Sequence, residues 1–334
     1  MSSLRGRARS ASTPGTPPST AATRQTRSRR RLRVLEGKKL PYLLVLPALC
    51  FELLIHIIPL LAGVGISFLK LTQFYIRNWT QAPWAGLHNY DLALQLRSPI
   101  GKDILHSFEI TVAFTVLVVG FAWALGMLGA LIVNSEFRGH RWFRTLFLIP
   151  YAMPVYVAVI GWSFMLDRDN GALNTLLVDD LHLTHSRPFW LLGSNAFWSV
   201  VMTTVWRLWP FAFLMTLAGM QSIPKELYEA AAVDGAGPLR QWRSITLPLL
   251  APVTGVLILI LFLWTFNEFN TPYVLFGPAP PHAADLLSLH IYVNSFVNLN
   301  FGLGSAMSVL LLGFLMIVSV VYIRMFRIGR EGYA

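Results

Sequence analysis

The sequence predicts an all-α integral membrane protein with six transmembrane helices, and three observations carry that prediction. Of the 334 residues, 54% are hydrophobic and 13% are charged, against about 25% charged in an average soluble domain. Six apolar runs are long enough to cross a bilayer, which takes about 20 residues of helix. The basic residues fall unevenly on the two sets of loops between those runs, as they do in membrane proteins with a fixed orientation. Helices follow because in lipid only helices or closed barrels satisfy the backbone. A barrel would show alternating segments of about ten residues, and these runs are longer and uniformly apolar.

Taken in order, the first span runs from about Pro41 to Leu69, with Glu52 and His56 as its ionisable groups. The second, 110–133, and the third, 145–166, carry no charge. The fourth, 197–221, holds Arg207, the fifth, 249–273, holds Glu268, and the sixth, 302–323, holds none. An inside N-terminus places 20 Lys/Arg on residues 1–40, 134–144, 221–248 and 324–334, against 6 on 70–109, 167–196 and 274–301. Both termini are therefore expected in the cytoplasm.

The formal charge of +11 looks like a nucleic-acid signal until it is divided along the chain. Residues 1–40 hold 11 Lys/Arg and one acid, Glu36. This Ser/Thr/Pro/Arg-rich stretch cannot bury a core and is expected to be a disordered cytoplasmic tail, ahead of a six-helix membrane domain over 41–330. It lacks a signal-peptide apolar region directly behind its charges. Its charge serves orientation, or attraction to anionic head groups. The lone Cys50 excludes an internal disulfide framework and a multi-cysteine metal site within one copy, and no metal site is expected.

The loop 222–248 is the most informative segment. Ser222 and Pro224 suit a helix start, Lys225 to Val233 is good helix material, and Asp234-Gly235 signals a turn. Pro238 opens a second short helix, and Pro248 marks the beginning of span five. Ala230, Ala231 and Ala232 leave room for another surface to approach, and Gly235 permits a positive φ. No G-x-x-x-x-G-K-[ST] phosphate loop occurs in the sequence.

Glu229-Ala230-Ala231, Asp234-Gly235-Ala236, Trp242, Ile245 and Leu247-Pro248 together resemble the EAA loop of ABC importer permeases, with Trp242 where phenylalanine is usual. Gly86-Leu87-His88-Asn89-Tyr90, Ile149-Pro150-Tyr151-Ala152-Met153-Pro154 and Gly171-Ala172-Leu173-Asn174 are similar to the carbohydrate branch of that family, which contains the larger maltose permease subunit. The resemblance implies a type I importer bundle in the bacterial or archaeal cell membrane. It implies that 222–248 carries a coupling helix seated in a groove of an ATPase subunit, with Glu229 in contact and Gly235 setting the bend. The implied partners are a second permease chain, two copies of the ATPase subunit and an extracytoplasmic solute-binding protein. ATP and Mg belong to the ATPase subunit, so no cofactor is expected on this chain, and the chain is not itself an enzyme.

Ionisable groups inside a membrane carry function by default. Carboxylates and amides exchange hydrogen bonds with sugar hydroxyls, and Trp faces pack on pyranose rings, so Glu268, Arg207 and the tryptophans flanking Arg207 suit a polar solute. By similarity to the maltose permease subunit, the solute contacts fall on Tyr151 and Val155, on Thr204 and Leu208, and on Leu261, Thr265 and Glu268. Val155 and Leu261 replace hydroxyl side chains there, while Thr265 and Glu268 replace amides, which puts the identity of the sugar in doubt. Plainer roles stand beside these: Glu268 as an interface anchor, Arg207 snorkelling or paired internally, the tryptophans as interfacial aromatics. Glu52 and His56 share a helix face and read as a structural pair facing the partner permease. The sequence favours sugar import by alternating access. The alternatives are a glycerol phosphate or polyol importer and, more remotely, an ion-coupled secondary transporter, although neither an inverted repeat nor broken helices in matching halves are visible in the sequence.

Overall fold

The computed structural model describes residues 40–135 and 137–331. The expected basic tail therefore lies, apart from Leu40, outside the described residues. The chain divides into two units, Met1–Ala62 and Gly63–Ala334. The described part of the first unit belongs to the apolar helix α1 (Pro41–Ile66). A π-helical turn, Leu53–Ile57, follows Glu52, and Glu52 meets His56 at 3.2 Å with both side chains exposed.

The second unit is helical throughout its spans, and among the described residues its β structure is one isolated bridge, Leu69 to Trp84. The helices that matter here are α2 (His88–Leu94), α3 (Pro99–Asn134), α4 (His140–Ala152), α5 (Val155–Met165) and α6 (Asn195–Gln221). They continue with α7 (Lys225–Val233), α8 (Leu247–Phe266), α9 (Asn270–Phe276), α10 (Leu287–Tyr292) and α11 (Phe301–Glu331). Among the described residues five helices are long and apolar enough to cross a membrane, and the bent pair α4 with α5 brings the number to six when counted as one broken span.

α3 starts eleven residues ahead of its uncharged run because Ser98 Oγ accepts the Gly101 N–H at 3.0 Å and Pro99 occupies the first turn, a favourable helix start. α3 and α6 form the most extensive helix pair. Their closest approach is at Gly126, where a Cβ would sit 2.6 Å from the Ala212 Cβ and 2.6 Å from the Phe213 N. Small residues at such crossings are how membrane helices gain packing without a hydrophobic drive. Around this crossing Phe114, Val118 and Ala122 of α3 meet Val200, Val205, Leu208 and Ala212 of α6, with Leu257 and Leu261 of α8 closing the third side.

Two spans differ from the expected single helices. Residues 145–166 are α4 and α5, bent by 92°. The reason is Pro154, which lacks an N–H and drives Met153 out of the helical region to φ −76°, ψ 137°. Span five extends back to Pro238, so Pro248 lies within it rather than at its beginning. A π-helical turn, Trp242–Thr246, precedes that proline, a common local adjustment where the i→i−4 ladder is interrupted. At its other end the helix breaks over Asn267–Phe269 before α9.

The two loop motifs are staples. Asn89, buried at the start of α2, donates to Ser67 O at 2.8 Å and Leu69 O at 2.9 Å, and the Tyr90 hydroxyl pairs with Ser67 Oγ at 2.6 Å. Asn174, fully buried, donates to Arg168 O and Pro188 O and accepts the Trp190 indole N–H at 2.7 Å. Buried amides satisfied on both sides fix loop shape, because leaving either partner unmade costs about 1–3 kcal/mol.

Candidate functional site

Two features stand out: the capped loop after α6, and a polar seam where two broken helices meet. In the loop, α7 ends in a Schellman arrangement. The Ala236 N–H donates to Ala231 O at 2.8 Å and the Gly235 N–H to Ala232 O at 3.0 Å, with Gly235 at φ +77°. This geometry explains Ala-Ala-x-x-x-Gly-Ala as a helix stop: the glycine takes the left-handed position that a Cβ disfavours. The Gln241 side chain then donates to Ala236 O at 3.0 Å, and Tyr228 Oη meets Thr246 Oγ1 at 3.0 Å, clamping α7 to the turn below α8. Tyr228, Ile245 and Leu247 pack on the lower core with Met220 and Leu250. The opposite surface, with Glu229, Ala230, Ala232, Val233 and Asp234, is exposed. Ala231, Ala236 and Trp242 are half-buried and Pro248 is exposed.

The seam is formed by α5 and α9, which pack side by side. The Tyr156 hydroxyl donates to Asn270 Oδ1 at 3.2 Å. Glu268 sits in the break ahead of α9. Its Oε1 accepts the Thr271 N–H and the Thr271 hydroxyl, both at 2.9 Å, so the carboxylate caps the first turn of α9 and complements the helix dipole. Its Oε2 accepts from Arg207 Nη2 at 2.5 Å. The pair is largely enclosed, with side-chain exposures of 14% for Arg207 and 7% for Glu268. Removing either partner from such a pair leaves a charge uncompensated, a cost of about 3–5 kcal/mol. Arg207 Nε, also buried, has no acceptor among the described residues.

The sequence-predicted solute residues divide by burial. Tyr151 is 42% exposed and stacks on Phe211, centroids 5.7 Å apart, which in turn meets Trp264 at 4.8 Å. Thr204, Leu208, Leu261, Thr265 and Glu268 are buried, and Val155 is half-buried. Thr265 Oγ1 turns back on Leu261 O at 2.8 Å. In this conformation only Tyr151 among the seven contacts expected to touch the solute is exposed; Val155 is half-buried and the other five are buried. Sequence reasoning missed Tyr156, Asn270, Thr271 and the Phe211–Trp264 contact. A signal for the breaks was present in Met153-Pro154 and in Pro272, which falls in the first turn of α9.

Five apolar helices and one sharply bent pair, with a polar seam between broken helices and a clamped loop helix, define a multi-pass membrane protein. The chain belongs to the family described as binding-protein-dependent transport system inner membrane component, which matches residues 118–328. It is 33% identical over 296 residues to the trehalose/maltose transport system permease protein MalF of Thermococcus litoralis, covering 88% of this chain and 95% of that one. It is 32% identical over 286 residues to the sn-glycerol-3-phosphate transport system permease protein UgpA of Yersinia pestis, covering 85% and 93%. Among solved structures, a chain of a bacterial alginate ABC transporter in complex with an alginate pentasaccharide-bound periplasmic protein superposes with a TM-score of 0.74 at 20% identity, covering 88% of this chain and 96% of that one. That likeness is one of fold.

Proposed function

We propose that this chain is the permease subunit of an ATP-driven, binding-protein-dependent importer of a sugar or oligosaccharide. It works beside a second, related permease, two copies of an ATPase subunit that bind ATP and Mg, and an extracytoplasmic binding protein. It lies in the cell (inner) membrane with both termini in the cytoplasm, which puts the loop 222–248 on the side of the ATPase. The observation that carries this reading is the family match over residues 118–328, together with the clamped loop helix α7. The broken helices α4/α5 and α8/α9 supply the polar seam where a solute would lie, because free backbone and helix ends are tolerated in a membrane only where protein or a cavity surrounds them.

In this mechanism the ATPase dimer closes and pushes on Glu229, Ala230 and Ala231. The Schellman-capped turn at Asp234, Gly235 and Ala236 and the packed Trp242, Ile245, Leu247 and Pro248 pass that displacement into α8. The breaks are the hinges at which the permease pair turns its cavity outward. Tyr151 meets the sugar first, and Thr204, Leu208, Thr265 and Glu268 line the path behind it. The family relationship to a trehalose/maltose permease supports a saccharide. The relationship to a glycerol-3-phosphate permease keeps glycerol phosphate as the second reading.

The test is uptake in proteoliposomes holding the complete complex, with labelled disaccharides and glycerol 3-phosphate as candidate solutes. Uptake is expected to require ATP inside and the binding protein outside. Transport by this chain alone on a proton gradient would overturn the reading in favour of a secondary transporter. A reporter fused at Gly235 is expected on the cytoplasmic side; extracytoplasmic exposure would overturn the orientation.

A further inference from the structure

Arg207 and Glu268 are the only Asp, Glu, Lys, Arg or His residues in the second to sixth spans as bounded by the sequence, 110–133, 145–166, 197–221, 249–273 and 302–323. The structure brings them together at 2.5 Å from two different helices, with 14% and 7% of their side chains exposed. Within those spans the two charges cancel; a second enclosed pair, Asp285 with His290 at 2.7 Å, lies outside them. Both Glu268 oxygens are engaged, one by Arg207 and one by Thr271. Arg207 keeps a buried Nε without an acceptor, which leaves a donor for a hydroxyl. A guanidinium with no carboxylate partner would instead bind carboxylate or phosphate through two parallel bonds.

We propose that Glu268 is the resident counter-ion of Arg207 and makes the pathway select uncharged polyhydroxyl solutes over anionic ones. This rests on the importer reading above and narrows it: glycerol phosphate and uronic acids are excluded at this position by charge, not by size. An anionic solute entering the seam competes with Glu268 for Arg207 and meets the carboxylate itself as a like charge. A neutral saccharide leaves the pair intact and hydrogen-bonds around it. Glu268 acts here as a specificity-determining residue through Arg207, and its capping of α9 holds it in place.

The probes are methyl glucoside and methyl glucuronide, which share a ring and differ by a carboxylate. Saturation-transfer NMR on the purified full complex, without binding protein, reads weak affinities for both. Wild type is expected to favour the glucoside by about tenfold or more, the size of one charged hydrogen bond. Glu268→Gln keeps the shape and an acceptor for Thr271 while removing the charge, and should raise glucuronide affinity by about tenfold or more. Arg207→Gln/Glu268→Gln, which removes both charges, should lose that gain. An unchanged glucuronide affinity in assembled Glu268→Gln complex, or a gain that persists in the double variant, overturns the proposal. If Glu268→Gln does not assemble, wild type decides: glucoside preference supports the proposal, and equal affinity for the two probes overturns it. Saccharide uptake by the complete wild-type importer is scored separately, so failure of the importer reading is distinguishable from failure of the charge rule.

Discussion

Replacing Gly235 with valine should uncouple the loop without unfolding the protein. The residue stands at φ +77°, and a Cβ there would meet nothing within 4 Å. The whole penalty is therefore backbone strain, about 1–3 kcal/mol for a side chain forced into this region, and a β-branched residue belongs at the upper end. Relief comes only by rotating out of the left-handed region, which breaks the Ala236-to-Ala231 and Gly235-to-Ala232 bonds and swings α7 off its base. A penalty of that size lowers the population of the native turn by roughly 5- to 150-fold relative to alternatives, the range of typical coupling energies between sites. In purified complex, ATP hydrolysis stimulated by solute-loaded binding protein should fall by about that factor, or the ATPase subunits should dissociate. Gly235→Asn should retain most of the stimulation, because asparagine tolerates the left-handed conformation. Valine complex with wild-type stimulation and full subunit stoichiometry would refute the assignment of this turn to coupling.

Three further outcomes follow from the packing. Gly126→Val should destabilise the α3–α6 crossing by about 1–3 kcal/mol or more, since its Cβ alone would lie 2.6 Å from Ala212; a lowered midpoint in detergent thermal unfolding is the readout. Asn174→Ala should cost about 1–3 kcal/mol by orphaning the Trp190 indole and two carbonyls, seen as faster proteolysis of the loop 167–190. Pro154→Ala should straighten α4 onto α5, and spin labels placed on the two helices should report an interhelical bend smaller than the wild-type 92°.

The positions of the spans were legible because burial in lipid writes itself as long apolar runs, and α6 begins and ends within two residues of expectation. The loop was legible for a different reason: Gly235 and the alanines before it are the local chemistry of a helix stop, readable without any tertiary contact. The bend at Met153-Pro154 was hidden by the same apolarity that revealed the span, since hydropathy is blind to direction. Thr204, Leu208 and Thr265 were placed on a solute path by similarity, yet whether they are covered depends on how α6 and α8 rotate against α3. That rotation is set by Gly126 and Ala212, small residues that leave no hydropathy signal.

The pairing of Arg207 with Glu268 shows most clearly where sequence reading stops. Each residue alone offered several roles, and a separation of 61 positions in the chain gives no reason to join them. The physical reason appears only when the break at Asn267–Phe269 is in place. A continuous helix would supply its own carbonyl acceptors and leave the Thr271 N–H bonded within it; the break frees that N–H, and Glu268 is the group that answers it. Once its Oε1 is committed to Thr271, its Oε2 is held toward α6, where Arg207 is the available cation. The break therefore creates the site for the carboxylate, the carboxylate neutralises the arginine, and the neutral pair is what a solute is proposed to meet. A movement that opens the break would disturb the cap and the ion pair together, which ties the charge seen by the solute to the same hinge that the loop helix is proposed to drive.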